Sequence, residues 1–324
     1  MDMSMDRAMQ LRAYRTMKTI REFETRIAAE YAAGTVPGMT HLYIGQEAVA
    51  AGICVHLSDA DSIASTHRGH GHCIAKGCEI KPMALELFRK QGGICKGKGG
   101  SMHIADVSRG MLGANAIVGG SPPLACGAAL TARTLGTTNV AVAFMGDGAA
   151  NQGTAFEAMN LAVVLQLPVI FVIENNGFGE HTGVDYHIGS GDISARSAAF
   201  GMPAQKVDGT DVFAVAQAMA EAVKRARCGE GPSTLECVAK RWHGHYEGDP
   251  QAYRSRNELE DLRRNADPLI IFRAKVTRVG EISAAELDAL DAEITQEIDA
   301  AVDAALLAPQ PAPAELLTDV YATY

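Results

Sequence analysis

The sequence predicts a doubly wound, mostly parallel α/β sheet that is flanked by helices and carries helical arms at its N- and C-terminal ends. Two short apolar runs, 140–144 and 169–173, are separated by a stretch with helical periodicity at 152–166. Each run is short and ends in small or polar residues, which is typical of a buried strand. Parallel strands joined by a crossover helix satisfy this pattern. A helical pattern at 211–227 and an apolar run at 233–239 continue the alternation.

The segments before this core are predicted to be mainly helical. Apolar residues recur every three or four positions over 9–33, and Gly34 ends the pattern. Further helices are predicted near 46–57 and over 82–90. Residues 92–120 then contain nine glycines and show neither a helix nor a strand period. Such a stretch inside a domain indicates a functional loop, or backbone that lies close to a ligand.

The C-terminal segment 282–307 has the pattern of an acidic, alanine-rich amphipathic helix, which a group of prolines ends. We therefore divide the chain into an N-terminal helical arm at 1–40, an α/β domain at 41–275, and a C-terminal helical arm and tail at 276–324. Both arms are expected to pack on something other than the α/β domain. The length of 324 residues leaves room for only one α/β domain of this kind.

Composition and charge argue against several classes of protein. The chain has 29 basic and 38 acidic residues and a net charge of −9, so a general nucleic-acid binder is not expected. No apolar run of about 18 residues suggests a membrane span, and the charged N-terminus lacks the apolar core of a secretory signal. The seven scattered cysteines are expected to be reduced thiols. These features predict a cytoplasmic protein.

A polar residue follows each of the two central predicted strands. Asp147 and Asn176 lie 29 positions apart, and both stand where an open α/β sheet binds its ligands. Carboxylate and amide oxygens suit Mg²⁺ or Ca²⁺, and the N–H groups of Gly148 and Ala149 can face an anion. A metal ion joined to a diphosphate fits this arrangement. The alternative is a dinucleotide-binding turn, but the third glycine of that motif falls at 153, two places late.

These residues belong to a set of short segments that resembles a known family. The chain from about 10 to 275 is similar to the alpha subunits of thiamine-diphosphate-dependent 2-oxo acid and acetoin dehydrogenases. The resemblance implies the thiamine-diphosphate-binding form of the α/β fold. Its segments occur in the family's order, at 41–48, 67–70, 97–103, 146–153, 174–176 and 243–245.

The resemblance implies thiamine diphosphate and Mg²⁺ as cofactors. The carboxylate of Asp147, the side chain of Asn176 and the backbone carbonyl of Phe178 would hold the metal. Arg68 would neutralise charge on the diphosphate, with His245 beside it. The other cofactor contacts that it implies are those of Gly146, Gly148, Ala149, His67, Ala116 and Val118.

Histidines are the catalytic residues that the resemblance implies. They are His41, at the position near the substrate carbonyl, together with His70 and His245. His67 stands where relatives usually have tyrosine. Ala116 stands where they usually have glycine, in a segment whose carbonyls meet the aminopyrimidine ring.

The segments at 95–106, 113–115 and 245–251 resemble the acetoin-cleaving members of the family most. The implied function is to cleave acetoin and to pass the hydroxyethyl or acetyl group to a lipoyl group of an acyltransferase component. A pyruvate or branched-chain 2-oxo acid dehydrogenase alpha subunit is the alternative, and an inactive regulatory or structural subunit is an alternative of another class. The resemblance also implies that the site needs two such α/β domains, so a beta subunit is expected to supply the activating carboxylate in an α₂β₂ assembly.

Overall fold

The computed structural model describes residues 5–255 and 257–321, so residues 1–4 and 322–324 of the predicted arms lie outside the described residues. The helices are α1 (Arg7–Ala32), α2 (Glu47–Cys54), α3 (Gly69–Ala75), α4 (Ile80–Leu87), α5 (Ser121–Thr134), α6 (Gly153–Val164), α7 (Val184–His187), α8 (Ile193–Ala198), α9 (Val212–Arg227), α10 (Glu258–Asn265), α11 (Pro268–Val279) and α12 (Ala284–Leu307). The strands are β1 (Ser62–Ala64), β2 (Met111–Gly113), β3 (Ala141–Gly146), β4 (Val169–Asn175), β5 (Phe178–Gly179), β6 (Thr182–Gly183), β7 (Ala204–Asp208) and β8 (Ser233–Val238).

A six-stranded sheet forms the centre of the molecule, with its strands in the order β2-β1-β3-β4-β8-β7. Every pairing in this sheet is parallel. β3 and β4 pair in register from Ala141 opposite Val169 to Gly146 opposite Glu174, and α6 connects them. The predicted parallel α/β fold is therefore confirmed. β5 and β6 form a separate antiparallel hairpin directly after β4.

Side chains of β4 enter a hydrophobic core on each face of the sheet. Ile170 and Val172 pack into a core that contains residues of α1, α2, α4, α9 and α12. Val169, Phe171 and Ile173 pack into a second core, with residues of α5, α6 and α8. A strand that is buried on both faces reads as a continuous apolar run, which is why β3 and β4 were recognisable in the sequence.

The glycine-rich segment is more ordered than its sequence suggested. It contains β2, at one edge of the sheet, and its first half folds around the buried carboxylate of Glu86. That carboxylate accepts four backbone N–H groups at 2.7–2.9 Å, from Cys95, Gly97, Gly99 and Gly100. Prediction missed β1 and β2 because strands of three residues carry no usable periodicity.

The expectation that the terminal helices pack on something other than the α/β domain is wrong for the described residues. α1 is capped by the Asp6 side chain at its N-terminus. It buries Phe23 and Ile27 in the same core as the central sheet. α12 packs on α1 and α4 and buries Ile294 and Ile298 there. The division of the chain at residues 40 and 275 stays a prediction. Among the described residues, the helices include none that is both long and apolar enough to span a membrane.

Candidate active site

A cavity of about 380 Å³ lies beside residues that follow the carboxyl ends of the central strands. Ser65 follows β1, Asp147 follows β3, Asn176 follows β4, and Arg241 comes shortly after β8. This is the edge at which open parallel sheets bind their ligands. The volume falls in the range of small-molecule sites, which is about 300–1,000 Å³. The topology of the sheet thus brings distant parts of the chain to one cavity.

Asp147 offers an unsatisfied oxygen to this cavity. Its side chain is only 1% exposed, and its Oδ1 accepts the N–H of Gly148 at 2.9 Å. Its Oδ2 has no hydrogen-bond partner among the described residues. Burial raises the pKa of Asp147, and the bond from Gly148 partly opposes this shift. A buried carboxylate oxygen without a partner is costly, so the position suits a hard cation such as Mg²⁺.

Asn176 and Phe178 line the cavity together with Asp147 and carry further oxygen atoms. The Asn176 side chain donates through Nδ2 to Oε1 of Gln46 at 3.1 Å, and its Oδ1 accepts the N–H of Phe178 at 3.3 Å. These two bonds hold the amide in one orientation, with its oxygen on the side of the hairpin. All three predicted metal-binding residues line the same cavity. Their role as ligands stays a prediction, to which the unsatisfied oxygen of Asp147 lends support.

The turn between β3 and α6 packs tightly against the β5–β6 hairpin. A Cβ atom added at Gly148 would lie 3.2 Å from the Cα atom of Gly179. A larger residue there would push the hairpin away or fill the cavity. Gly146, Gly148 and Ala149 all line the cavity, as the cofactor-binding prediction requires.

Two buried guanidinium groups line the cavity. Arg68 donates to the backbone carbonyls of Leu42 at 2.8 Å and His245 at 2.6 Å. Burial lowers the pKa of Arg68 to about 9, which still leaves it charged at neutral pH. Arg241 donates to the carbonyl of Glu180 at 2.9 Å, while its Nε has no partner among the described residues. Paired buried cations suit an anionic ligand such as a diphosphate.

His41, His67 and His245 come together beside the cavity, where His67 and His245 are part of the lining and the buried His41 lies outside it. Their ring centroids are 4.7 Å apart for His41 and His67, 5.1 Å for His41 and His245, and 5.3 Å for His67 and His245. Burial, with Arg68 as the next cause, lowers the pKa of His41 to about 3 and that of His245 to about 4. The pKa of His67 is also well below its usual range. All three rings are therefore neutral at physiological pH.

His70 does not belong to this group. Its ring is fully buried in α3, where Nδ1 lies 3.0 Å from Oε2 of Glu24 and Nε2 lies 2.9 Å from Oγ of Ser101. Both nitrogens are engaged inside the protein and His70 lies outside the cavity lining, so its catalytic role stays a prediction that this geometry does not support. The side chain instead links α1 to the glycine-rich segment. Ala116 also lies outside the cavity lining, although Val118 is part of it.

Some cavity residues had no role assigned from the sequence. Gln46, Glu174 and Arg241 line the cavity, and Nε2 of Gln46 is buried without a partner in the described part of the chain. The Glu174 carboxylate is held by the Tyr43 hydroxyl and by Nε2 of His72 at 3.1 Å. Gln46 and Glu174 stand inside the segments that carried the family resemblance. Only the fold shows which of their neighbours face the cavity.

Comparison with known proteins agrees with this geometry. Residues 15–314 match the family described as dehydrogenase E1 component. The chain belongs to this family. It is 53% identical to the alpha subunit of acetoin:2,6-dichlorophenolindophenol oxidoreductase from Cupriavidus necator, over 99% of this chain and 96% of the relative. It is 51% identical to the subunit of the same name from Bacillus subtilis, over 96% of this chain and 93% of the relative.

A more distant relative carries a different name. The pyruvate dehydrogenase E1 component subunit alpha of Rhizobium meliloti is 40% identical, over 96% of this chain and 89% of the relative. The dehydrogenase E1 component family depends on thiamine diphosphate. The six-stranded parallel sheet with helices on both faces is therefore its thiamine-diphosphate-binding fold.

Proposed function

We propose that the chain is the alpha subunit of a thiamine-diphosphate-dependent dehydrogenase that cleaves acetoin. The identity of 53% and 51% to two acetoin:2,6-dichlorophenolindophenol oxidoreductase alpha subunits, against 40% to a pyruvate dehydrogenase alpha subunit, supports this substrate. The observation that carries the proposal is the cavity, whose lining includes both an unsatisfied carboxylate oxygen and two buried guanidinium groups. A metal ion joined to a diphosphate satisfies both.

The residues present fit that cofactor. Asp147, Asn176 and the carbonyl of Phe178 would hold Mg²⁺ through oxygen atoms, which this ion prefers. Arg68 and Arg241 would balance the charge of the diphosphate, which enters beside the glycine turn. When bound, thiamine diphosphate supplies an electron sink for cleavage of a bond next to a carbonyl carbon.

The three neutral histidines are the groups that this chain would offer for hydrogen bonding and proton transfer near the substrate. A neutral imidazole can donate one hydrogen bond and accept another, so His41 and His245 can hold or move a proton at the carbonyl or hydroxyl oxygen of acetoin. Acetoin has no carboxylate, and the described cations of the cavity are the two that we assign to the diphosphate. Neutral partners suit this uncharged substrate better than they suit a 2-oxo acid.

An alpha subunit of this family implies a beta subunit as partner. Ile117 and Val118, at the cavity, are 72% and 49% exposed, and such apolar residues suit a surface that another chain covers. Our proposal includes an α₂β₂ assembly in which the beta subunit completes the site. It also includes transfer of the two-carbon product to a lipoyl group of an acyltransferase component. All seven cysteines are free, which supports a reducing, cytoplasmic location.

The test is a comparison of substrates. The chain is co-expressed with its beta subunit, and reduction of 2,6-dichlorophenolindophenol is followed with acetoin, pyruvate or 3-methyl-2-oxobutanoate. We expect a specificity constant that is at least about tenfold higher for acetoin than for either 2-oxo acid. A preference for pyruvate or the branched-chain acid would reassign the substrate. Absence of activity with all three, although the complex assembles, would favour a non-catalytic subunit.

A further inference from the structure

His67 and His245, which line the cavity, and the buried His41 behind them also have the arrangement of a metal-binding site. One nitrogen atom from each of His41, His67 and His245 lies within 4.8 Å of the other two. In a tetrahedral zinc site, Zn–N distances of about 2.0–2.1 Å place the ligand nitrogens roughly 3.4 Å apart. Small rotations of the side chains would close the remaining gap, because the three rings already lie beside one another.

The nitrogens are available to a metal. His41 is only 3% exposed, and its Nδ1 has no hydrogen-bond partner among the described residues. Nδ1 of His245 lies 3.5 Å from Nη2 of Arg68, which is a long contact. Metal ions bind the neutral form of imidazole, and burial keeps all three rings in that form. A buried nitrogen without a partner is unfavourable, and a metal ion would satisfy it.

We propose that His41, His67 and His245 bind one divalent cation of the zinc class, with water or an anion as the fourth ligand. This site differs in chemistry from the group around Asp147 and Asn176. Imidazole ligands select Zn²⁺, Co²⁺, Ni²⁺ and Cu²⁺, whereas carboxylate and amide oxygens suit Mg²⁺. A nitrogen site beside the cavity and an oxygen site within it are therefore offered to two kinds of cation.

Two guanidinium groups, Arg241 and Arg68, oppose a cation here, and Arg68 has the larger effect on the three rings. The Arg68 guanidinium already donates to the backbone carbonyls of Leu42 and His245, which disperse part of its charge. A hydroxide or another anion in the fourth position would offset the rest. The bound cation would occupy the imidazoles that we assign to the substrate, so zinc is expected to act as a reversible inhibitor that a chelator removes.

Zinc binding is measured without thiamine diphosphate or substrate, so the result does not depend on the proposed function. The full-length chain, without a histidine tag, is purified with its beta subunit, and accessible thiols such as the exposed Cys228 are alkylated. Zn²⁺ is titrated in competition with a chromogenic chelator, with Mg²⁺ in excess. We expect about one tight zinc site per chain that depends on these histidines.

Two variants identify the ligands. His67→Tyr removes one nitrogen and is expected to weaken zinc binding by at least about tenfold, since loss of even an outer-sphere partner costs this much. His103→Tyr is the matched control, because His103 is exposed and lies outside the cavity lining. A smaller loss in His67→Tyr, or an equal loss in His103→Tyr, would overturn the proposal.

The wild-type protein provides a second measurement in case His67→Tyr does not fold. Co²⁺ is substituted for Zn²⁺, and its visible absorption is recorded after alkylation of the thiols. A four-coordinate nitrogen site gives intense visible bands without a thiolate charge-transfer band. Weak bands of a six-coordinate ion, or intense bands that Mg²⁺ abolishes, would show that the three histidines do not form the site.

Discussion

Replacing Asp147 by asparagine is expected to have opposite effects on the empty and the metal-bound protein. The carboxylate is 1% exposed and its Oδ2 has no hydrogen-bond partner among the described residues, so without a cation its negative charge is opposed only in part, by the bond from Gly148 and by Arg241. Asparagine keeps the shape and can still accept the N–H of Gly148 through its oxygen. Removing the unpaired charge should therefore stabilise the cofactor-free protein. We expect a gain of about 1 kcal/mol, because the buried charge is removed whereas the new Nδ2 group takes over the place without a partner.

With Mg²⁺ and cofactor present, the wild type should instead be more stable than Asp147→Asn. A ligand present at 100 times its dissociation constant stabilises the folded state by about 2.7 kcal/mol. The wild type should gain this amount from Mg²⁺ with thiamine diphosphate, whereas Asp147→Asn should gain almost nothing, because the variant lacks the charged oxygen. Isothermal titration should show the same loss as a much lower affinity for the cofactor.

The assay is thermal unfolding of the complex with the beta subunit, recorded with and without Mg²⁺ and cofactor. Asp59→Asn is a matched control, since Asp59 is exposed and pairs with Arg109 at the surface. It should leave the response to Mg²⁺ unchanged. If Asp147→Asn kept the wild-type response, the assignment of the metal site would be wrong. If the variant were less stable than the wild type without metal, the argument from the unpaired oxygen would fail.

Three further predictions follow from single side chains. His41 has a pKa of about 3 in the folded protein, against 6.5 for an ordinary histidine, so the unfolded state binds more protons between these values. The wild type should lose stability as pH falls through that window, and urea titrations should show a smaller loss for His41→Asn. Glu86→Gln should cost about 2–4 kcal/mol in urea unfolding, because a charged acceptor of four N–H groups is lost, and limited proteolysis should then cut within 92–100. Unchanged proteolysis would show that Glu86 does not hold this segment. Arg241→Gln should lower the affinity for thiamine diphosphate by about 10- to 100-fold in isothermal titration. An unchanged affinity would exclude contact between Arg241 and the diphosphate.

Local patterns in the sequence were sufficient to predict the centre of the fold and its two polar strand ends. β3 and β4 are continuous apolar runs because both of their faces are buried, and that pattern does not depend on distant residues. Parallel strands that are joined by one helix must end at the same edge, so Asp147 and Asn176 could be placed together before any contact was known. The family resemblance then added Arg68 and the histidines.

Only the tertiary structure decided which of the other polar residues meet. His41, His67 and His245 come from three separate segments, and their contact depends on how those segments pack rather than on any spacing in the sequence. His70 stands three residues after His67, yet it points into the interior, because it lies in α3 whereas His67 precedes that helix. The Glu86 carboxylate binds backbone N–H groups, which every residue but proline possesses, so no side-chain pattern could reveal it. Helix and strand periodicity depends on residues that are close in the sequence, whereas these contacts form only when distant segments pack together.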